Sequence, residues 1–184
     1  MASSIPAFAE GRPLTAAQRG TVLHTFLQLS DWKNASLHPE EEVGRLVTSG
    51  HLSQKEADCI DLGKVKQFFE SPLYRRIVHA DRVHRELQFH VFLPPSYLDP
   101  DVSDSSGENV VLQGVADLVL EEKDGLVLVD YKTDHVWDPE ILRQRYTMQL
   151  RRYAYAMEQV LDKPVKQLLL YAFSLGQTVE IFKQ

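Results

Sequence analysis

The sequence is short of cysteine, of long apolar runs and of positive charge. Its single cysteine, Cys59, excludes an intrachain disulfide framework, a four-cysteine zinc site and a cysteine-ligated iron–sulfur cluster. No apolar run approaches a membrane span, and MASSIPAFAE lacks the basic and apolar segments of a secretion signal. A net charge of −6 argues against bulk electrostatic binding of nucleic acid, without excluding a local basic patch. These absences predict a soluble, cytoplasmic protein with no membrane partner.

The rest of the composition is that of an ordinary globular domain. The 184 residues have a mass of 21.0 kDa, and 43% of them are hydrophobic and 25% charged. No internal repeat divides the chain. We therefore expect a single domain over 1–184, with a lead-in over 1–14, a helical part over 15–79 and a sheet-containing core over 80–184.

The first third of the chain has helical periodicity and helix-capping residues. Two helices are predicted in TAAQRGTVLHTFLQLS, where Thr15 is the cap, and in HPEEEVGRLVTSG. The segment SQKEADCIDLGKVKQFFES predicts one continuous third helix, with Ser53 and Glu56 as a capping box and Cys59 buried on it. A short fourth helix is predicted in SPLYRRIVHA.

From Asp81 the hydrophobic period changes from helical to alternating. The segment RVHRELQFHVFL predicts a half-buried strand, and a loop rich in Pro, Ser and Asp follows over 94–109. A hairpin is predicted in VVLQGVADLVLEE and LVLVDYKTD, then a long helix over about 139–161, then a second hairpin in VKQLLLYAFSL and TVEIFK. This order predicts an α/β fold with a mixed central sheet flanked by helices.

Charged side chains interrupt the second and third of these strands. Because side chains alternate along a strand, Asp130 and Lys132 share one face. Asp117 lies mid-strand across the predicted hairpin, where an aspartate is unfavourable. Two carboxylates brought together there need a cation, and a hard ion such as Mg²⁺ or Mn²⁺ suits oxygen ligands. The same pattern fits a structural Asp130–Lys132 ion pair with Asp117 at a solvated strand end.

Four motifs, taken in order, resemble those of the RecB-like branch of the PD-(D/E)xK nucleases. GVADLVL and LVLVDYKTD match the branch pattern G-x-x-D followed by D-Y-K-[ST]. GTVLHTFLQ is similar to its N-terminal helix motif, QLRRYAYAM to its Q-x-x-x-Y helix, and RELQF to its strand entry at Glu86. The lead-in AEGRPLTAAQRGTVLHTFLQ is similar to that of the C-terminal nuclease domains of bacterial AddA-type helicase–nuclease proteins.

The resemblance implies a restriction-endonuclease-like fold and a site for Mg²⁺ or Mn²⁺. Acids in the two strand motifs and a histidine in the helix motif would hold the ion, with the lysine of D-Y-K acting on the phosphate. The site residues implied are, as metal ligands, His24, Asp117, Asp130 and the backbone carbonyl of Tyr131, and, as further catalytic or orienting groups, Lys132, Gln149 and Tyr153.

The activity that the resemblance implies is that of a metal-dependent deoxyribonuclease. It would act as an exonuclease on single-stranded DNA ends during double-strand break repair and recombination. The implied partners are DNA, the helicase motor domain of the same parent protein and an AddB-like partner protein. No motor is expected in this chain, because it lacks a G-x-x-x-x-G-K-[ST] phosphate loop.

Two other functions fit the same fold. One is a non-catalytic nuclease-fold module that braces a partner protein, although the intact set of Asp117, Asp130 and Lys132 speaks against it. The other is a metal-dependent phosphodiesterase acting on RNA. Arg145 and Arg152 on the long helix are candidate contacts to the nucleic-acid backbone or, equally, parts of a solvated helix face.

Overall fold

The computed structural model describes residues 13–97 and 110–182, and its chain divides into two compact units, Met1–Leu62 and Gly63–Gln184. The described part of the first unit is helical. Its helices run over Ala16–Leu29 (α1), Trp32–Leu37 (α2), Pro39–Thr48 (α3) and Gln54–Ala57 (α4). The predicted caps are confirmed, because Thr15 caps α1 and Ser53 caps α4, each within a capping box.

Two features of this region differ from the prediction. The expected third helix is broken, since α4 ends at Ala57 and the next helix, α5, covers Leu62–Glu70. Asp58 closes α4, and aspartate favours helix ends over helix interiors. Cys59 therefore lies half-buried in a connection and not buried on a helix. No periodicity predicts the six-residue α2, which starts where the Asp31 side chain accepts hydrogen bonds from backbone N–H groups of its first turn.

The second unit contains a five-stranded sheet with strand order β1-β2-β3-β4-β5. The bounds are α6 Pro72–His79, β1 Arg82–Leu93, β2 Val110–Glu122, β3 Gly125–Lys132, α7 Pro139–Leu161, β4 Val165–Ala172 and β5 Gln177–Ile181. Strands β3 and β4 are parallel and the other neighbours antiparallel. The parallel pair needs a crossover connection, which α7 provides. The predicted α/β fold with a mixed sheet is confirmed.

The loop predicted over 94–109 is described only at its start. A short 3₁₀ turn covers Pro95–Tyr97, and the rest of the predicted loop lies outside the described residues. The longest described helix is α7, with 23 residues and several charged side chains. Across 13–97 and 110–182, no helix has both the length and the apolar composition that crossing a membrane requires.

Strand β3 lies at the centre of the second unit and is covered on both faces. On one face, buried side chains of α7 such as Leu150 and Met157 belong to the same cluster as Leu128. On the other face, the Phe68 ring of α5 stands edge-to-face against Tyr131, with 5.7 Å between ring centroids. This double burial fixes which β3 side chains face α7, and hence the orientation of Asp130 and Lys132.

Candidate active site

Asp117 and Asp130 lie opposite each other at the point where β2 and β3 separate. Leu118 and Val129 form the last pair of these strands, so the two aspartates occupy the next position in the antiparallel register. The Asp117 carboxylate accepts a hydrogen bond from the backbone N–H of Tyr131 at 2.8 Å. A side chain thus satisfies a buried N–H that the strand ladder no longer pairs.

Glu86 faces Asp117 from the other side, on β1. The residues on either side of Glu86 pair with those on either side of Asp117, which leaves these two opposite each other. One oxygen of the Glu86 carboxylate lies within 4.8 Å of one oxygen of the Asp117 carboxylate. Three neighbouring strands therefore carry an acid at the same level of the sheet: Glu86 on β1, Asp117 on β2 and Asp130 on β3.

The backbone at Glu86 is in the left-handed region, with φ 51°. This conformation costs a non-glycine residue about 1–3 kcal/mol and occurs preferentially at functional sites. The alternating pattern of β1 carries no signal for it. The only clue in the sequence is the similarity of RELQF to the family's strand entry, and on the sequence alone Glu86 fits a plain exposed strand residue slightly better than a group that supports the site.

Lys132 and Asp130 form a close ion pair on the face of β3 that α7 covers. The Lys132 Nζ lies 2.7 Å from Asp130 Oδ2, and the Asp130 side chain is only 6% exposed. The ring of Tyr146 on α7 lies beneath the ammonium, with Nζ 4.0 Å from the ring centroid. The pairing anticipated as the structural alternative is thus present, and it holds the lysine beside the acids.

The Tyr131 side chain lies outside this cluster. Its ring packs on the opposite face of β3, against Phe68 and Phe173. Burial, followed by the charge of Asp117, raises the pKa of the Tyr131 phenol well above its usual range. Because the ring packs on the opposite face of β3, only the backbone of Tyr131 is available to a site at the ends of β2 and β3.

Gly114 packs closely against the side chains of Phe89 and Tyr153. Tyr153 on α7 stands edge-to-face against Phe89 of β1, with 4.9 Å between ring centroids. A Cβ at Gly114 would lie 2.7 Å from the Phe89 ring and 3.0 Å from the Tyr153 hydroxyl oxygen. The glycine of G-x-x-D therefore leaves room for the tyrosine of Q-x-x-x-Y. Gln149 lies one turn earlier on α7 and is half-buried.

The remaining predicted residues have less direct placements. His24 lies half-buried on α1, in the N-terminal unit, and its role as a ligand stays a prediction. Arg145 is paired with Asp134, with Nη1 3.1 Å from Oδ1. Arg152 is half-buried on α7. A contact between DNA and either arginine therefore also stays a prediction.

The donors at the ends of β2 and β3 suit a hard divalent cation. Glu86, Asp117 and Asp130 supply carboxylate oxygens from adjacent strands, without a thiolate, and Mg²⁺ and Mn²⁺ prefer oxygen ligands. Clustered carboxylates repel one another unless a positive charge lies among them. The Lys132 ammonium offsets one of the three negative charges. The net negative charge that remains would favour binding of a cation.

Comparisons with known proteins show which family the chain resembles over nearly its whole length. The family model of the PD-(D/E)XK nuclease superfamily matches residues 3–180. The AddA protein of the ATP-dependent helicase/nuclease of Acetivibrio thermocellus is 36% identical over 172 residues, which cover 91% of this chain and 14% of that protein. The corresponding protein of Bacillus cereus is 36% identical over 187 residues, covering 96% of this chain and 15% of that protein.

A third relative, the AddA protein of the ATP-dependent helicase/nuclease of Clostridium botulinum, is 32% identical over 176 residues. These residues cover 94% of this chain and 14% of the relative. The chain thus spans about one-seventh of the length of the curated proteins it matches. Its similarity to the nuclease domains of AddA-type proteins, inferred from the motifs, is confirmed.

Proposed function

We propose that this chain, which belongs to the PD-(D/E)XK nuclease superfamily, is the metal-dependent DNA-cutting domain of a helicase–nuclease. One observation carries the proposal. Glu86, Asp117 and Asp130 stand at one level of three adjacent strands, and Lys132 lies 2.7 Å from the last of them. Acids that hold a divalent cation, with a lysine beside them, are suited to hydrolysis of a phosphodiester, because the cation and the lysine stabilise the negative charge that develops on the phosphate.

The proposal gives each residue of the site a part in this reaction. Mg²⁺ or Mn²⁺, when bound, would supply Lewis-acid stabilisation of the phosphate and an activated water. Asp117, Asp130 and Glu86 would hold the ion, together with the carbonyl of Tyr131. We retain His24 as a further ligand on the strength of its motif.

Lys132 would donate to a phosphate oxygen and stabilise the charge that develops there. Gln149 and Tyr153 on α7 would orient the site or the DNA. Arg145 and Arg152 would contact the DNA backbone, although Arg145 would have to share its charge with Asp134. These orienting and contacting roles rest on the motifs and on the shared helix.

The wider setting of the reaction follows from the relatives. Each is named as part of an ATP-dependent helicase/nuclease, and this chain spans only 14–15% of their length. We propose that a helicase motor of the same parent protein delivers single-stranded DNA ends, that an AddB-like protein is a partner, and that cutting proceeds as an exonuclease. A role in double-strand break repair in the cytoplasm completes the proposal.

Cleavage of end-labelled single-stranded DNA tests it. We expect cutting by this chain with Mg²⁺ or Mn²⁺ and none with EDTA. Asp130→Asn and Lys132→Gln should each lower the rate by at least about 100-fold, because each removes a charge from the reacting centre. Lys55→Gln, a charge change on the exposed face of α4, is the matched control and should cut at the unaltered rate.

The other outcomes identify the alternative functions. Preferential cutting of a labelled RNA of the same sequence would replace DNA by RNA as the substrate. Absence of cutting on either nucleic acid, combined with no shift of the melting temperature by Mg²⁺ or Mn²⁺, would leave a non-catalytic module. Equal activity of the Asp130→Asn variant would overturn the site itself.

A further inference from the structure

The ring of Tyr146 lies against the Lys132 ammonium. Tyr146 is on the first half of α7, and its ring centroid is 4.0 Å from Nζ. At this distance the negative face of an aromatic ring attracts a cation. Helical spacing alone predicts Tyr146 as a core residue, and no motif of the sequence singles it out.

The ring itself is fixed from its other end. The Tyr146 hydroxyl lies 3.0 Å from both carboxylate oxygens of Asp134, to which it donates a hydrogen bond. Asp134 follows Lys132 by two residues and is held in turn by Arg145, at 3.1 Å. Burial and then the hydrogen bond with Asp134 raise the pKa of Tyr146 to about 12. The hydroxyl therefore remains a donor at neutral and mildly alkaline pH.

These contacts restrict a side chain that is otherwise flexible. A lysine ends in a compact charge on a stem of four carbons, so its position must be set by its surroundings. The Asp130 carboxylate lies on one side of the ammonium, 2.7 Å from Nζ, and the Tyr146 ring lies on another side. The ring face attracts the positive charge but does not accept a conventional hydrogen bond as a carboxylate does. The ammonium, which has three N–H donors, therefore keeps at least one of them for a phosphate oxygen.

We propose that Tyr146 is a positioning residue that holds Lys132 at the reacting centre, with its own ring fixed by Asp134. The proposal rests on the proposed function, because it assumes that Lys132 acts on the phosphate. It predicts that the aromatic face is the required part of Tyr146. The hydroxyl bond to Asp134 adds to a position that the packing of the ring against the core cluster already holds.

A measurement that needs no activity tests the geometry. In protein labelled with ¹³C-lysine, the Hε resonance of Lys132, assigned with Lys132→Arg, should lie upfield because of the ring beneath it. The shift should persist in Tyr146→Phe and disappear in Tyr146→Leu. A wild-type resonance without the upfield shift, or one that Tyr146→Leu leaves in place, would overturn the proposal.

The kinetic measurement tests the consequence. We expect Tyr146→Leu to lower kcat about 10- to 100-fold with KM little changed, because a displaced catalytic group costs rate more than binding. Tyr146→Phe should remain within about threefold of the wild type, since it keeps the face of the ring. Tyr155→Leu, at a half-buried tyrosine of the same helix, is the matched control for lost packing and should retain the wild-type kcat.

The two measurements keep this proposal separate from the proposed function. An unaltered kcat in Tyr146→Leu, alongside an active wild type, would mean that the lysine needs no such support and would overturn the proposal. Loss of activity in Tyr146→Phe equal to that in Tyr146→Leu would also contradict it, because the ring face would then be insufficient. An inactive wild type would count against the proposed function. The Hε resonance of Lys132 would then be the one measurement that tests whether Tyr146 positions the lysine.

Discussion

Glu86 holds an unfavourable backbone conformation in the middle of β1. Its φ of 51° is a value that glycine adopts easily and glutamate rarely. On both sides of it the pairing with β2 is regular, so the irregularity is confined to the residue that faces Asp117. Strain at one residue persists only where the surrounding structure enforces it. The carboxylate is thus brought beside Asp117 by a local departure from the strand.

Substitutions at Glu86 can separate the strain from the charge. Glu86→Ala removes the carboxylate and keeps the strain, whereas Glu86→Gly removes both. We expect Glu86→Gly to be the more stable of the two by about 1 kcal/mol in urea unfolding, because glycine is unstrained at this φ. Both variants should bind Mn²⁺ more weakly than the wild type in a titration, to a similar extent, if the carboxylate is a ligand.

Gln88, two residues further along β1, is the control position. It is exposed and has no positive φ. At such a strand position alanine is more stable than glycine, which loses more chain entropy on folding. The order of Ala and Gly should therefore be opposite at the two positions. The same order at both would mean that no strain is stored at Glu86.

The residues of the site differ in how far the sequence reveals them. The sequence predicts that three side chains of the site lie close together, namely Asp117, Asp130 and Lys132. Alternation along a strand and the hairpin between β2 and β3 fix the faces on which they lie. Glu86 could not be placed, because nothing in a glutamate's chemistry signals a left-handed backbone. The contact between Lys132 and Tyr146 was equally hidden, since it depends on how α7 packs across β3.

Among the elements, those with strong local signals were predicted well. The alternating strands, the capped helix α1, the cap of α4 at Ser53 and the long helix over Pro139–Leu161 have the expected positions. The break between α4 and α5 and the short α2 were missed. The short α2 starts at the Asp31 side chain, which bonds to the backbone of its first turn, and the break follows Asp58 at the end of α4. Each is a signal of one or two residues, which periodicity averages out.

Glu42 on α3 ties together the two short helices that follow α1. Its carboxylate accepts hydrogen bonds from the Asp31 N–H at 2.7 Å, from Asn34 at 3.0 Å and from Arg45 at 2.6 Å. Burial alone would raise the pKa of Glu42, but the hydrogen bonds from Arg45, Asn34 and Asp31 outweigh it and lower the pKa to about 2. This one side chain therefore holds the start of α2 against α3.

We predict that Glu42→Gln lowers the free energy of unfolding by about 2 kcal/mol at pH 7, since it removes an ionised acceptor of several hydrogen bonds. The folded pKa, about 2, lies below the value of 4.5 expected when unfolded. The ionised form therefore contributes fully above about pH 4.5, and its contribution is lost as the pH falls from there towards 2. The difference between wild type and variant should shrink over that interval.

Urea unfolding in a Trp137→Phe background measures this effect locally. The chain has two tryptophans, and the one that remains, Trp32, lies on α2. Glu41→Gln removes an exposed acid from the same helical turn and is the matched control, with an expected effect within about 0.5 kcal/mol. A difference between Glu42→Gln and wild type that stayed constant from pH 7 to pH 3 would contradict the proposed network.

At the scale of the whole molecule, charge limits what the chain does alone. The net charge is −6, and two arginines of α7 already bond to groups within the protein. Arg143 bonds to Glu140 and to the Glu180 carbonyl, and Arg145 bonds to Asp134. Such pairs leave little net positive potential for a phosphate backbone. The relatives, about seven times longer, have far more surface with which to hold DNA.

We therefore predict weak binding of single-stranded DNA by this chain, with a dissociation constant above about 10 μM at physiological salt. Anisotropy of a labelled oligonucleotide in EDTA, which prevents metal-dependent cutting, measures it across a range of NaCl concentrations. The slope of log K against log salt should correspond to only about two phosphates, since Arg143 and Arg145 are paired within the protein. Glu140→Gln, which frees Arg143, should tighten binding a few-fold and steepen the slope, whereas Glu41→Gln on α3 gives the effect of one lost acid alone.

Tight binding that did not change with salt concentration would contradict this prediction, because the chain would then bind DNA without a basic surface. It would also remove the need for a motor domain to hold the substrate.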